Sequence, residues 1–229
     1  MPSDLVQAGS QSPRSFKKTI TKDVNCGYQL FLPEGYGQEK KDWPLILFLH
    51  GMGERGDDLN LVKTHGPPVI VDKRKDFPFI VVSPQCPDNT FWNDEVDMLG
   101  SLLDEVTSEY DVDTERIYLT GLSMGGFGTW ALAAAQPERF AAIAPICGGG
   151  LFYMFLSIKD LPIWIFHGQK DDLVPVYESQ RMYKIIKENG GNVKLTIYPE
   201  AEHDSWTQTY DNKELYDWFL QYRRSDRKQ

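Results

Sequence analysis

The sequence predicts an α/β protein with a doubly wound, mostly parallel sheet and antiparallel strands at its N-terminal end. Three observations carry that prediction. From residue 45 onward short apolar runs alternate with amphipathic stretches of helical spacing, the pattern of strand–helix–strand units. Several of the apolar runs are continuous, as strands covered on both faces require. Glycine or histidine stands where these runs end, at His50-Gly51, Gly121, Gly148 and His167-Gly168, with Ser83-Pro84 after another. Sheets of this kind bind ligands at the carboxyl ends of their strands.

Taken in order, residues 1–15 are polar and read as a flexible lead-in to one domain over residues 16–222, with a basic tail at 223–229. Residues 16–32 alternate apolar and polar side chains, which predicts one or two antiparallel strands closed by the turn at 33–37. Residues 45–49 (LILFL) form a strand buried on both faces. Residues 58–75 predict a helix broken at Gly66-Pro67-Pro68, and 79–83 the next buried strand. Residues 93–110 place Val96, Leu99, Leu102, Leu103 and Val106 on one helical face. A strand at 117–120 follows. Further strands are expected at 140–146, 162–166 and 193–198, with helices at 176–188, ended by Asn189-Gly190-Gly191, and at 214–222. The connections are short and leave no room for a large cap domain.

Bulk composition narrows the function classes. Net charge is −9, which argues against nucleic acid or an anionic membrane as partner. The basic clusters at 14–22 and 223–228 sit at the two ends and read as solvated termini. No run approaches the roughly 18 apolar residues of a membrane span, and the first residues lack the apolar core of a signal peptide. Cys26, Cys86 and Cys147 have no zinc-site spacing and are expected to be small buried hydrophobes. No metal or cofactor is expected. Compartment and oligomeric state are not written in these residues.

The stretch IYLTGLSMGGFGTWALAAA, residues 117–135, joins strand character to Gly121-Leu122-Ser123-Met124-Gly125 and then to a helix-forming run. That is the layout of a nucleophile elbow with Ser123 at its tip. Such a turn presses neighbouring backbone together, so glycines stand where a side chain would clash. It also sets the serine at a helix N-terminus, where backbone N–H groups favour an oxyanion.

A serine hydroxyl needs a base, and the base needs an orienting acid. In such a sheet the chain order is serine, acid, histidine. Of four histidines, His50 and His65 precede Ser123, and His167 comes directly off a buried strand. His203 remains, in the loop after the last strand. Asp171 and Asp172, just past the preceding strand, qualify equally as the acid. The oxyanion donors expected are the backbone N–H groups of Met124 and of Met52, and the loop around Gly51 and Gly53 is expected to tolerate little change. Trp92, Phe127, Tyr153 and Trp206 are candidate substrate contacts. Glu54 and Arg55 are expected to pair with one another.

These residues carry a resemblance. The segments His50-Gly51-Met52-Gly53-Glu54-Arg55-Gly56, Ser83-Pro84-Gln85-Cys86-Pro87, Gly121-Leu122-Ser123-Met124-Gly125-Gly126, the run 167–175 (HGQKDDLVP) and His203-Asp204-Ser205-Trp206 resemble the compact α/β-hydrolase esterases of the phospholipase/carboxylesterase, dienelactone hydrolase and polyhydroxybutyrate depolymerase-like group. The resemblance implies an α/β-hydrolase fold, Asp171 rather than Asp172 as the acid, and Met52 and Met124 as the oxyanion donors. Dienelactone hydrolases proper carry a cysteine at the elbow where this chain has Ser123, which favours plain ester hydrolysis. The expectation is a serine carboxylesterase for short-chain or aryl esters, cinnamoyl and feruloyl types included, working through an acyl-enzyme. A peptidase or acyl-thioesterase with the same triad is the alternative, and a non-catalytic binding module the more distant one.

Overall fold

The computed structural model describes residues 9, 11–38 and 40–227. Most of the expected lead-in, residues 1–8 and 10, lies outside them, as do residues 228 and 229. Seven strands form one sheet: β1 (Tyr28–Phe31), β2 (Trp43–Leu49), β3 (Ile80–Pro84), β4 (Val112–Leu122), β5 (Ala142–Ile146), β6 (Ile163–Gly168) and β7 (Val193–Tyr198). Their spatial order is β1-β3-β2-β4-β5-β6-β7. Only β1 runs antiparallel, against β3; every other pairing is parallel.

Period-two alternation divides the apolar runs between two cores. Along β2, Leu45, Leu47 and Leu49 face one side and Ile46 and Phe48 the other. The first side is covered by α2 (Val96–Glu109), α3 (Met124–Ala135) and α5 (Tyr177–Glu188), which supply Leu99, Leu103, Trp130 and Met182. The second is covered by α1 (Pro67–Lys73), α6 (Trp206–Asp211) and α7 (Lys213–Phe219), through Val71, Tyr210, Leu215 and Phe219. Both faces of the central strands are thus dry, which is why their sequence reads as continuous apolar runs. The β5–β6 connection holds only short pieces, a 3-10 turn at Phe152–Met154 and α4 (Phe155–Ile158).

Residues 16–32 hold one antiparallel strand, β1, the lower of the two numbers expected, and just before it Gly27 O accepts from Gln85 N–H at 2.8 Å. Two other expectations are corrected. Residues 58–75 are not one broken helix. A 3-10 turn, Leu61–Lys63, comes first; Gly66 at φ 71° then turns the chain, and Pro67 opens α1, a position where its missing N–H costs nothing. The helix expected at 214–222 is α7, and a short helix that the sequence does not predict, α6, precedes it: Asn212 between them is extended (φ −80°, ψ 110°) and its side chain accepts from Glu214 N–H, capping α7. The basic C-terminal arginines are docked on the body. Arg224 Nη2 donates to Glu115 Oε1 at 2.7 Å, Arg223 pairs with Asp113 at 3.2 Å, and Arg227 Nη1 donates to Pro137 O at 2.6 Å.

Candidate active site

The elbow stands where β4 meets α3. Ser123 has φ 53° and ψ −117°, a conformation that non-glycine residues avoid, and it is held there from several sides. Its N–H donates to Ile146 O at 3.0 Å and faces Cys147 Sγ at 3.3 Å. A Cβ on Gly125 would overlap Leu49 O and lie 2.7 Å from His50 O; one on Gly121 would lie 2.8 Å from Leu49 O. The glycines therefore mark where α3 presses on the end of β2.

Ser123 Oγ donates to His203 Nε2 at 2.9 Å, and His203 Nδ1 donates to Asp171 Oδ2 at 2.7 Å. The other carboxylate oxygen, Oδ1, accepts from Leu173 N–H at 3.0 Å and Val174 N–H at 2.8 Å. Asp171 is buried, and Asp172 is exposed, so the structure brings the first of the two to the histidine. His203 reaches inward from the loop after β7. Asp204 helps fix that loop by accepting from Thr207 N–H at 3.0 Å in the first turn of α6.

Gly51 lies against the elbow: a Cβ there would sit 3.8 Å from Ser123 Cβ and 2.9 Å from Leu122 Cδ1. The turn Met52–Glu54 starts beside the serine, and Met124 opens α3 on its other side. Gly53 departs from expectation. Nothing lies within 4 Å of a Cβ placed on it, so Gly51 is sterically constrained and Gly53 is not.

The loop is shaped from beneath by His50. Its Nδ1–H donates to Gly51 O at 2.6 Å, and its Nε2 accepts from Cys86 N–H at 3.0 Å. That pairing requires the neutral ring, and burial pushes its pKa down to about 4. The unfolded chain therefore binds this proton more readily than the folded one. The contribution to stability is complete above the ordinary histidine value, about 6.5, and is lost as pH falls toward 4. Acidification across that window should cost roughly 3 kcal/mol through His50 alone. Urea unfolding of wild type and His50→Gln at both ends of the window measures it; parallel losses in the two proteins would refute the assignment.

Trp92 is corrected. It is not a substrate contact: it is fully buried, its Nε1–H donates to His50 O at 2.9 Å, and its ring meets the His50 ring edge-on at 4.9 Å. An indole with its one donor satisfied by backbone belongs to the scaffold. Glu54 and Arg55 do not pair either. Arg55 bonds the Thr90 and Met52 carbonyls and lies over Phe91, while the Glu54 carboxylate sits 3.8 Å from both His50 Nδ1 and His65 Nε2.

Phe127 lines a cleft of about 500 Å³ with Leu151, Met154, Leu173, Val174 and Pro175. Tyr153 stands outside that lining, exposed and edge-on to Phe152. Trp206 meets the His203 ring edge-on at 5.2 Å and the His65 ring at 5.4 Å. All three cysteines are free thiols; Cys86 and Cys147 are buried and Cys26 is half-buried. Cys147, Asp171 and His203 offer ligand atoms within 4.8 Å of one another. The last two are already bonded together, and burial pushes the Cys147 thiol up to about 12, so a metal would have to break the triad-like line to bind.

This fold and this site define an α/β-hydrolase. The chain belongs to the phospholipase/carboxylesterase family, whose profile matches residues 77–214. It is 28% identical over 185 residues to a bifunctional acetylxylan esterase/xylanase of Neocallimastix patriciarum, covering 76% of this chain and 26% of that protein. It is 26% identical over 196 residues to a probable feruloyl esterase C of Aspergillus terreus, covering 82% and 72%. The crystal structure of a thermostable esterase superposes with a TM-score of 0.75 at 36% identity, over 86% of this chain and 59% of that one. The chain thus spans only part of the first and the last of these. Among the described residues no helix is long and apolar enough to cross a membrane.

Proposed function

We propose that this protein is a serine carboxylesterase acting on short-chain or aryl esters, with Ser123 as nucleophile, His203 as general base and acid, and Asp171 as the orienting acid. The observation that carries the reading is the unbroken hydrogen-bonded line from Ser123 Oγ through the His203 ring to Asp171 Oδ2. As Oγ bonds to the acyl carbon its proton passes to Nε2, and the carbonyl electron pair moves onto oxygen, facing the N–H groups of Met52 and Met124. Collapse expels the alcohol oxygen, which takes the proton from His203. Water then adds to the acyl-enzyme while His203 removes its proton, and Oγ leaves with that proton returned. The sum is ester plus water to acid plus alcohol.

The cleft beside Phe127, mostly apolar but with Asn93, Glu178 and Arg181 also in its lining, supports an aryl or short aliphatic acyl group. Relatives named as feruloyl and acetylxylan esterases favour the same range. Phe127→Ala should raise KM for a cinnamoyl-type ester about tenfold, the worth of one aromatic contact, and leave an acetyl ester within about twofold. Equal losses on both esters would place the acyl group elsewhere. Turnover of matched ester, thioester and amide substrates tests the reaction class: the ester should lead in kcat/KM, and an amide or thioester leading would refute it.

A further inference from the structure

Beneath the carboxylate lies a second histidine that hydrolysis does not consume. His167, at the end of β6, is fully buried. Its Nε2 faces two oxygens, Val174 O at 2.8 Å and Asp171 Oδ2 at 3.1 Å. Its Nδ1 faces Ser179 Oγ at 2.7 Å, and that hydroxyl also lies 3.3 Å from Gly148 O. These contacts decide the tautomer. With the proton on Nδ1, the Nε2 lone pair would point at a carbonyl and a carboxylate together, at the cost of a buried unsatisfied acceptor cluster. With the proton on Nε2, the N–H is shared between the two oxygens and Nδ1 accepts from the Ser179 hydroxyl, whose single proton then leaves Gly148 O, the more distant of its two partners. Burial lowers the pKa of this ring, which keeps it neutral.

Resting on the reading of Asp171 as the orienting acid, we infer that His167 is a positioning residue: its Nε2–H fixes Asp171 Oδ2 where His203 Nδ1–H can meet it, and Ser179 on α5 holds His167 in that tautomer. Asp171 then receives four donors. Leu173 and Val174 N–H clamp Oδ1, while His203 and His167 share Oδ2. The backbone clamp holds only Oδ1, and the buried ring gives Oδ2 a second partner besides His203. The segment His167–Asp171–Val174 is locked on itself, because Val174 both donates to Oδ1 and accepts from Nε2.

The inference makes a demand on the unmodified protein. Imidazole nitrogen shifts of isotope-labelled wild type should report His167 as a neutral ring protonated on Nε2 from about pH 5.5 to 8. A ring protonated on Nδ1, or on both nitrogens within that range, overturns it. This measurement needs no substrate, so its failure is distinct from a failure of the esterase reading, which would appear as absence of turnover by wild type. Substitution supplies the functional side. His167→Leu should lower kcat about 10- to 100-fold, as losses of an orienting partner do, with KM nearly unchanged. His167→Gln, whose amide N–H reaches the Nε2 position, should recover most of that loss. Ser179→Ala should lower kcat several-fold and shift part of the His167 population to the other tautomer. Folding of each variant is checked by its circular dichroism and melting. If His167→Leu does not fold, the Gln and Ala variants decide, and wild-type kcat in Ser179→Ala with an unchanged tautomer overturns the inference.

Discussion

Ser123→Ala is expected to lower kcat for ester hydrolysis by about five to six orders of magnitude while KM stays within a few-fold. The substitution removes one oxygen from a half-buried position and leaves the elbow in place. The Gly125 contact with Leu49, the Ser123 N–H bond to Ile146 O and the Asp171 clamp do not involve Oγ. No neighbour can take over. Cys147 Sγ is close, but it lies fully buried beneath the elbow, facing the residue 123 N–H, with burial pushing its thiol up to about 12. Neither access nor charge state makes it a nucleophile at neutral pH. The residual rate would come from the oxyanion donors and from substrate positioning alone. A fluorophosphonate probe should label wild type at Ser123 and leave the variant unmarked. Wild-type kcat in the variant, or labelling at another residue, would sink the proposed mechanism.

The fold was legible in sequence where burial acts on both faces of a strand. The runs at 45–49, 79–83, 140–146 and 162–166 have no other use for so many apolar residues, and each lies on or beside a buried strand of the sheet. Legibility failed where an element is short. The six residues of α6, Trp206–Asp211, are too few to show helical periodicity, and Asn212 then starts α7 separately by offering its side chain to Glu214 N–H. The N-terminal segment was legible only as a range: alternation over 16–32 predicts one or two antiparallel strands, and one, Tyr28–Phe31, pairs with β3.

The candidate site divides in the same way. Chain order and strand ends were enough to bring Ser123, the Asp171-Asp172 pair and His203 forward, because those constraints are one-dimensional. Trp92 was misassigned for want of a second dimension: an aromatic in a loop after a strand reads as a pocket wall until its indole N–H is found on His50 O. His167 was set aside as a residue of a buried strand. That placement is correct, and what sequence could not supply is that the ring lies 3.1 Å from Asp171 Oδ2. The i, i+4 spacing of His167 and Asp171 was the available signal, and it acquires meaning only once the loop is seen to curl back on itself.

Gly125→Ala should have the largest effect on the fold itself, with Gly53→Ala as its counterpart. The added Cβ at 125 would overlap Leu49 O and stand 2.5 Å from Leu49 C and 2.7 Å from His50 O. These are backbone atoms at the end of the central strand, paired to β3 and β4, so they cannot swing aside as a flexible side chain would. Relief requires α3 to move off β2, which opens the core around Trp130 and displaces Ser123 from the Gly51 loop together. A loss of about 4 kcal/mol or more is expected, at the upper end for a single substitution, with catalysis failing even in molecules that remain folded. Gly53 lies close by in the chain, with nothing within 4 Å of a Cβ, and its replacement should stay within about 0.5 kcal/mol of wild type. Chemical denaturation of the two variants side by side checks the contrast. Equal stability would mean that the elbow is not held by the contact between α3 and the end of β2.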